Sequence, residues 1–404
     1  MAITVNTEPI SLNSGLSISY APIVYTFESD SVDIQYCIVE VLIDNVRVSA
    51  RSVQPDLGTT DEFTLDISSD CQNYLSFTLE TLGSNGVISG STGLKEIKVK
   101  FYEVNLTDGL LVTAYDPSDP NNTNNDAISQ TSITYNWTEN NFSYNSFSFD
   151  NYNLTDNTKL FLTDSPSVKS IELLQNEFIG ILRYAGVASK AYKLEVLTYD
   201  SSNALLNTDY INITEWDSAY ILVPTDTYLS IAVGTQNLIN EGISLTNVDH
   251  YTIQVINVDG DVSELKRFNI VASCDYDTRV HWVNKFGKQD SYTFKGNKIE
   301  GLDYKSDTFQ KAKGITYDSS SRGISTIQNV TSNNFTAFTD SVGRDTYDFL
   351  KGLLTNNMAW VEIDNTYFPI TIDNGSKLVL NERNMPIQFV LDYKFSNLNK
   401  GLRG

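Results

Sequence analysis

Residues 34–49 read IQYCIVEVLIDNVRVS, and this stretch decides the fold class. Apolar and polar positions alternate with a period of two, and Val, Ile and Tyr dominate, which is the signature of a strand. Ile34, Tyr36, Ile38, Glu40 and Leu42 fall on one face, and Cys37, Val39, Val41 and Ile43 on the other. Asp44-Asn45 then turns the chain into Val46-Arg47-Val48, a hairpin signal. The same pattern continues in Phe63–Ile67 and in Lys95–Glu103.

Working outward, a β-sandwich of immunoglobulin or fibronectin type III kind is expected within residues 1–115. A second β-rich unit is expected over 159–273, with strands at 192–199, 219–223 and 251–258. Residues 116–158 differ. A polar loop, DPSDPNNTNND, precedes Tyr135, Trp137, Phe142, Tyr144, Phe147, Phe149 and Tyr152, which sit among Asn and Ser. With few aliphatic neighbours this is poor core material, so it reads as a connector or as a docking arm whose aromatics supply rigid contact area.

Residues 274–404 form the third region. It holds one convincing helix, capped by Asp340 or Ser341, with Tyr347, Leu350, Leu353 and Leu354 on one face and Asn356-Asn357 at its end. Strands follow at 359–363, 366–372, 377–381 and 387–395, separated by Asp364-Asn365 and Asp373-Asn374-Gly375. The expected class is mainly β: two tandem sandwiches, then an α+β assembly domain with one helix and an antiparallel meander.

Composition narrows the function. The 404 residues carry 28 basic and 50 acidic side chains, a formal charge of -22, which disfavours nucleic acid as a tightly held ligand. The charge is uneven: residues 1–150 hold 20 acidic and 5 basic side chains, and residues 271–404 hold 15 acidic and 16 basic. Eight of the basic residues lie between Arg279 and Lys313. They read as a solvated strand face, or as a contact surface for the acidic part of a neighbouring copy, a head-to-tail contact that closes into a ring where the rotation permits.

Two histidines and three cysteines leave little for histidine catalysis or a thiolate metal site. Cys37, Cys71 and Cys274 are odd in number, widely spaced and read as buried free thiols. His250 and His281 read as hydrogen-bonded structural residues. Asp116–Asp119 and Asp259-Gly260-Asp261 read as ordinary turns rather than Ca²⁺ ligands. The Asn-x-Ser/Thr triplets are chance in an Asn/Thr-rich chain. No basic leader, no long apolar span and no phosphate loop, zinc-helix or nucleophile-elbow motif is visible. No cofactor and no metal are expected, and no enzyme.

The segment His281–Phe294, HWVNKFGKQDSYTF, resembles the W-x-N-x-x-G-x-x-D-x-aromatic-x-F segment of virion proteins of phages infecting Bacteroidetes, including crAss-like phages. Phe63–Ser68 with Tyr74-Leu75, and Leu160–Pro166, are similar to those proteins as well. The resemblance implies a non-enzymatic neck or tail subunit, made in the host cytoplasm and located in the virion. It would stand in a symmetric ring of its own copies, beside other neck and tail proteins, with genomic DNA passing without tight binding. Interface residues would then be Trp137, Phe142, Tyr144, Phe147 and Phe149 on the arm, and Trp282, Lys285 and Lys288 on the basic segment. The alternatives are a receptor-binding or adhesin-like fibre of fibronectin-type domains, and a carbohydrate hydrolase using two carboxylates.

Overall fold

The computed structural model describes residues 3–7, 16–18, 23–29, 34–58, 62–89, 94–105, 128–135, 151–152, 154, 159–182, 192–213, 228–257, 260–274, 276–310, 324–355, 358–379, 388–396 and 399–400. The fold is mainly β, built from largely antiparallel sheets, with Leu16–Ile18 parallel to Ile128–Tyr135, and with three helices among the described residues. The chain divides into two compact units. Unit 1 takes residues 1–163, 176–268 and 285–289; unit 2 takes 164–175, 269–284 and 290–404.

In unit 1 the first sandwich follows the expected pattern. One sheet sets Ile3–Thr7 beside Val24–Ser29 and then Glu62–Asp66. The other runs Leu16–Ile18, Ile128–Tyr135, Leu94–Asn105, Ile34–Ile43 and Val46–Val53. Asp44 and Asn45 have φ of 50° and 63°, the primed turn whose twist matches the flanking strands. Side chains from both sheets form one core: Phe27 stacks on Phe63 at 5.1 Å and meets Phe101 at 4.5 Å, with Val39, Val41 and Val99 fully buried. The second face of this strand is half-buried at Tyr36 and Ile38 and buried at Glu40 and Leu42. Glu40 there accepts hydrogen bonds from Arg47 Nη1 at 2.9 Å and Tyr102 Oη at 3.0 Å, which satisfies its buried charge.

Two features of unit 1 redraw the expected segments. Ile128–Tyr135, placed by the sequence in the connector, pairs with Leu94–Phe101 and belongs to the first sandwich. Val87–Ser89, from the first segment, pairs with Tyr228–Ala232. That strand in turn pairs with Phe178–Leu182, so a strand of the first segment completes a sheet of the second. A further sheet orders Lys266–Val271, His250–Asn257, Lys193–Tyr199 and Leu205–Asn212. It includes the expected strands near 192–199 and 251–258, whereas 219–223 lies outside the described residues.

Unit 2 carries a nine-stranded sheet. Its path runs Gln289–Phe294, Thr278–Val283, Ala359–Ile363, Thr366–Ile372, Gln388–Phe395, Ile324–Phe338 and Lys298–Gln310. Asp364 and Asn365, at φ 48° and 57°, make the turn that the sequence announces. The helix spans Arg344–Thr355. It begins after Gly343, beyond the expected caps Asp340 and Ser341, and it buries Phe349, Leu350 and Leu353 while Leu354 stays exposed. Phe349 belongs to that face because it packs on Trp282 at 5.0 Å.

Candidate functional site

The sequence segment that resembles the virion motif forms two neighbouring strands, Thr278–Val283 and Gln289–Phe294, joined through Gly287 at φ 64°. A positive φ there explains why the motif needs a glycine. Trp282 is fully buried in the unit 2 core with Val280, Phe294, Ala359 and Leu391 around the helix face. Phe294 meets Phe389 at 5.6 Å. The motif's aromatics are therefore core residues, and Trp282 is not available as a surface contact.

Lys288 corrects the second interface expectation. It lies 3% exposed inside unit 1, with Nζ donating to the Tyr228 carbonyl and to Ser230 Oγ, each at 3.2 Å, and 3.7 Å from the Tyr228 ring centroid. Ser230 Oγ donates to Glu80 Oε1 at 2.5 Å, and Glu80 N–H donates to Gln289 Oε1 at 3.0 Å. Tyr228 Oη donates to the Phe286 carbonyl. Gly180 makes room for the lysine: a Cβ there would stand 2.5 Å from Lys288 Cγ and 2.9 Å from Leu162 Cβ. Burial pushes the Lys288 ammonium down to about 8, opposed by the Glu80 charge. Burial likewise raises the Glu80 carboxyl, opposed by Lys288 and then by Ser230. Nothing in the sequence ties Glu80 to this site, because it lies 150 residues before Ser230.

The rest of the basic run is also largely engaged. Lys285, half-buried, sits 4.9 Å from the Phe286 ring centroid, against Tyr152 on that ring's other contact at 5.0 Å. Arg279 Nη1 donates to Gln175 Oε1 and Thr293 Oγ1, and Nη2 to Ser291 Oγ. Glu362 Oε2 lies 3.7 Å from Arg279 Nε and 2.8 Å from His281 Nε2. His281 is fully buried, edge-on to Tyr367 at 5.0 Å, a hydrogen-bonded structural histidine. Lys295 Nζ pairs with Glu172 Oε1 at 2.9 Å. Arg279, Lys288 and Lys295 are thus neither a solvated face nor a basic contact surface, because their charges meet partners inside their own units, whereas Lys285 stays half-buried over the ring beside it. The arm residues Trp137, Phe142, Tyr144, Phe147 and Phe149 lie outside the described residues, as do Asp116–Asp119 and Asp259.

A cavity of about 290 Å³ opens beside the start of the helix in unit 2, lined by Lys169, Tyr292, Lys295, Asp340, Thr346 and Phe349. Lys169 Nζ donates to the Ser291 carbonyl at 2.6 Å and lies 5.4 Å from the Phe349 ring centroid. Burial, then the Asp340 charge, pushes the Tyr292 phenol up to about 12. The volume is at the floor of small-molecule sites, and its lysines already hold protein partners. Among the described residues no group of three His, Cys, Asp or Glu side chains is placed to hold a metal ion. Cys37 and Cys71 are buried free thiols as expected, whereas Cys274 is exposed. No helix among the described residues is long and apolar enough to cross a membrane.

Among the described residues a strand edge remains open. Lys298–Gln310 pairs with Ile324–Phe338 over its whole length as a ribbon; Gln388–Phe395 backs the last part of Ile324–Phe338, and Asn399–Lys400 pairs with Val330 and Thr331. Leu302 and Tyr304 are 65% and 61% exposed, and Ile299, Phe309, Ile324 and Ile327 are exposed as well. No motif marks this ribbon in the sequence, since its apolar residues alternate with polar ones as in any half-buried strand.

No family model matches the chain, and no curated protein matches it. Among solved structures it is similar to trypsin-activated alpha-2-macroglobulin from Escherichia coli, with a TM-score of 0.21 and 7% identity. The match covers 96% of this chain and 23% of that one, so the chain spans about a quarter of the length of the structure it matches. At that score the likeness carries no argument.

The buried pair makes a measurable prediction. A lysine whose folded pKa is lowered contributes stability that is present above its unfolded value and lost as pH falls through the folded one. Between about pH 8 and 10.5 the unfolded chain therefore binds more protons at Lys288, and stability climbs with pH. Cys71, pushed up to about 12 by burial, works the other way above pH 9. The difference between wild type and Glu80→Gln/Lys288→Met cancels the thiol. In chemical denaturation at pH 7.5, 8.5 and 9.5 that difference should grow in favour of wild type, by about half of 1.4 kcal/mol over the first step, which straddles the folded value, and by close to about 1.4 kcal/mol over the second. A flat difference would mean that Lys288 keeps its proton in the folded protein at alkaline pH.

Proposed function

We propose that this chain is a non-enzymatic structural component of a bacteriophage virion, a ring-forming neck or tail subunit around the DNA conduit. The observation that carries the reading is the ribbon of Lys298–Gln310 and Ile324–Phe338. It holds apolar side chains in solvent along a strand edge, a feature that globular proteins usually blunt or cover and that an assembly protein uses. The resemblance of His281–Phe294 to virion proteins supports it. So does the formal charge of -22, which suits a conduit that must let phosphates pass without gripping them. The Ser230 hydroxyl does stand between Glu80 and Lys288, but all three side chains are buried and are spent on one another, an arrangement that suits a structural network better than a site for a substrate.

The test is location and symmetry. The chain should co-purify with virions, and averaged images of the particle with this chain labelled should place it in a ring at the neck or tail. Binding of the isolated chain to host cells or glycan, with no place in the neck or tail, would favour the fibre reading instead. Replacing residues 136–150 by a short Gly/Ser linker keeps Tyr152 on Phe286 and should abolish ring assembly while the circular dichroism spectrum is retained. A linker variant that assembles normally removes the aromatic arm from the contact.

A further inference from the structure

Lys298–Gln310 is the terminal strand of its sheet, and among the described residues it pairs only with Ile324–Phe338. Thirteen residues of β-strand present an edge of about 43 Å. The strand itself is regular: the register shift at Asp307/Thr308 is absorbed by one extra residue, Ile327, in the partner strand. Residues paired across an antiparallel ladder share a face. Glu300 and Lys298, opposite the buried Phe335 and Ala337, therefore continue into Leu302 and Tyr304 on that face, and Ile299, Asp303, Lys305 and Phe309 lie on the other. Outside the stretches backed by Gln388–Phe395 and Asn399–Lys400 the described ribbon is two-stranded, which alone is marginal in water, and an open edge is a template for another strand.

We propose that this edge pairs antiparallel with the same strand of a second copy, about a two-fold axis at Tyr304. The strand's own residues choose the partner. In a two-fold pairing that continues the sheet, facing residues lie equally far on either side of the axis. Tyr304 is the midpoint of Lys298–Gln310, so this axis gives full overlap. It also sets Asp303 against Lys305 of the second copy and Lys305 against its Asp303. Ile299 meets Phe309, Glu300 meets Thr308 and Leu302 meets Ser306, each twice. Opposite charges and aromatic–β-branched pairs placed directly across a ladder stabilise it. Moving the axis to Asp303 sets that carboxylate against its own copy and Ile299 against Asp307. Moving it to Lys305 sets Lys305 against itself and Asp303 against Asp307. Length and charge thus select the same register. Asp303 is steadied by a hydrogen bond from Asn334 Nδ2 across the ribbon, which leaves further lone pairs for the second copy's lysine.

The contact stands independently of the virion reading. A dimer with this register and no place in a virion keeps the contact and sinks that reading; a virion ring whose subunits do not pair here does the reverse. Sedimentation of the full chain should show a dimer. Asp303→Lys and Lys305→Asp each place like charges opposite one another twice, and each should raise the dimer dissociation constant at least about tenfold. The combined Asp303→Lys/Lys305→Asp variant restores both ion pairs and should return to within about threefold of wild type. These positions are exposed, so an unchanged melting midpoint certifies the fold. In a Cys274→Ser background, Tyr304→Cys should give a disulfide-linked dimer under mild oxidation, and Ser306→Cys, which faces Leu302, should not. A monomer at all concentrations, a dimer indifferent to the single charge changes, or a double variant no tighter than the singles overturns the proposal.

Discussion

Lys288→Met should cost the fold about 3–5 kcal/mol at neutral pH, and Glu80→Gln/Lys288→Met should recover most of it. The single variant removes the ammonium but leaves Glu80 buried, and the Lys288 charge is the largest influence holding that carboxylate ionised against burial. Without it only the Ser230 hydroxyl remains to lower its pKa. Methionine matches the lysine stem beside Gly180 and Leu162, so packing changes little. Acid should relieve the loss. A carboxyl with a raised folded pKa favours the folded state below its unfolded value near 4.5, and that advantage is lost as pH rises through the folded value. The penalty of Lys288→Met should therefore shrink as pH falls from 7 toward 5. Chemical denaturation of the three proteins at pH 5 and pH 7 measures it. Equal losses in the single and double variants would show that the lysine matters for its volume and not for its charge.

Trp282→Ala should lower the stability of unit 2 by about 3–5 kcal/mol. The indole fills the space between the sheet and the helix, against Phe349, and a Cβ on Gly352 would come within 3.4 Å of its Nε1. Alanine leaves a void that Leu350 and Leu353, themselves fully buried, are not free to fill. Trp282→Phe keeps much of the volume and should lose less. Native-state hydrogen exchange of Arg344–Thr355 reads the effect locally, as faster exchange of the helix amides in the alanine variant. The same variant separates core from contact. If Trp282 were an interface residue, its loss would weaken assembly of a protein whose helix amides exchange at the wild-type rate.

These two residues show where the sequence was legible and where it was not. The Ile34–Ile43 and Val46–Val53 hairpin could be read because alternation and a two-residue turn are local. The strands after the helix could be read for the same reason, with Asp364-Asn365 at positive φ. For the helix the period was visible and the phase was not: Phe349 is buried because Trp282 faces it, whereas Leu354 lies on the side turned away from that core. The basic run misled for a deeper reason. Its neutralising partners lie far away in the chain, Glu362 for Arg279, Glu172 for Lys295 and Glu80 for Lys288. A run of like charges reports solvent exposure only when no distant carboxylate folds back on it. The pairing of Val87–Ser89 with Tyr228–Ala232 is equally non-local, and no alternation pattern predicts which strands become neighbours.

The chain passes between the two units five times, at 163/164, 175/176, 268/269, 284/285 and 289/290. Neither unit is a contiguous stretch of gene. No single protease nick or truncation releases one of them whole, and a break at the expected 273/274 boundary would strand Asp164–Gln175 and Lys285–Gln289 on the wrong fragments. A junction placed anywhere within residues 163–290 would therefore divide the residues of at least one unit between two parental sequences.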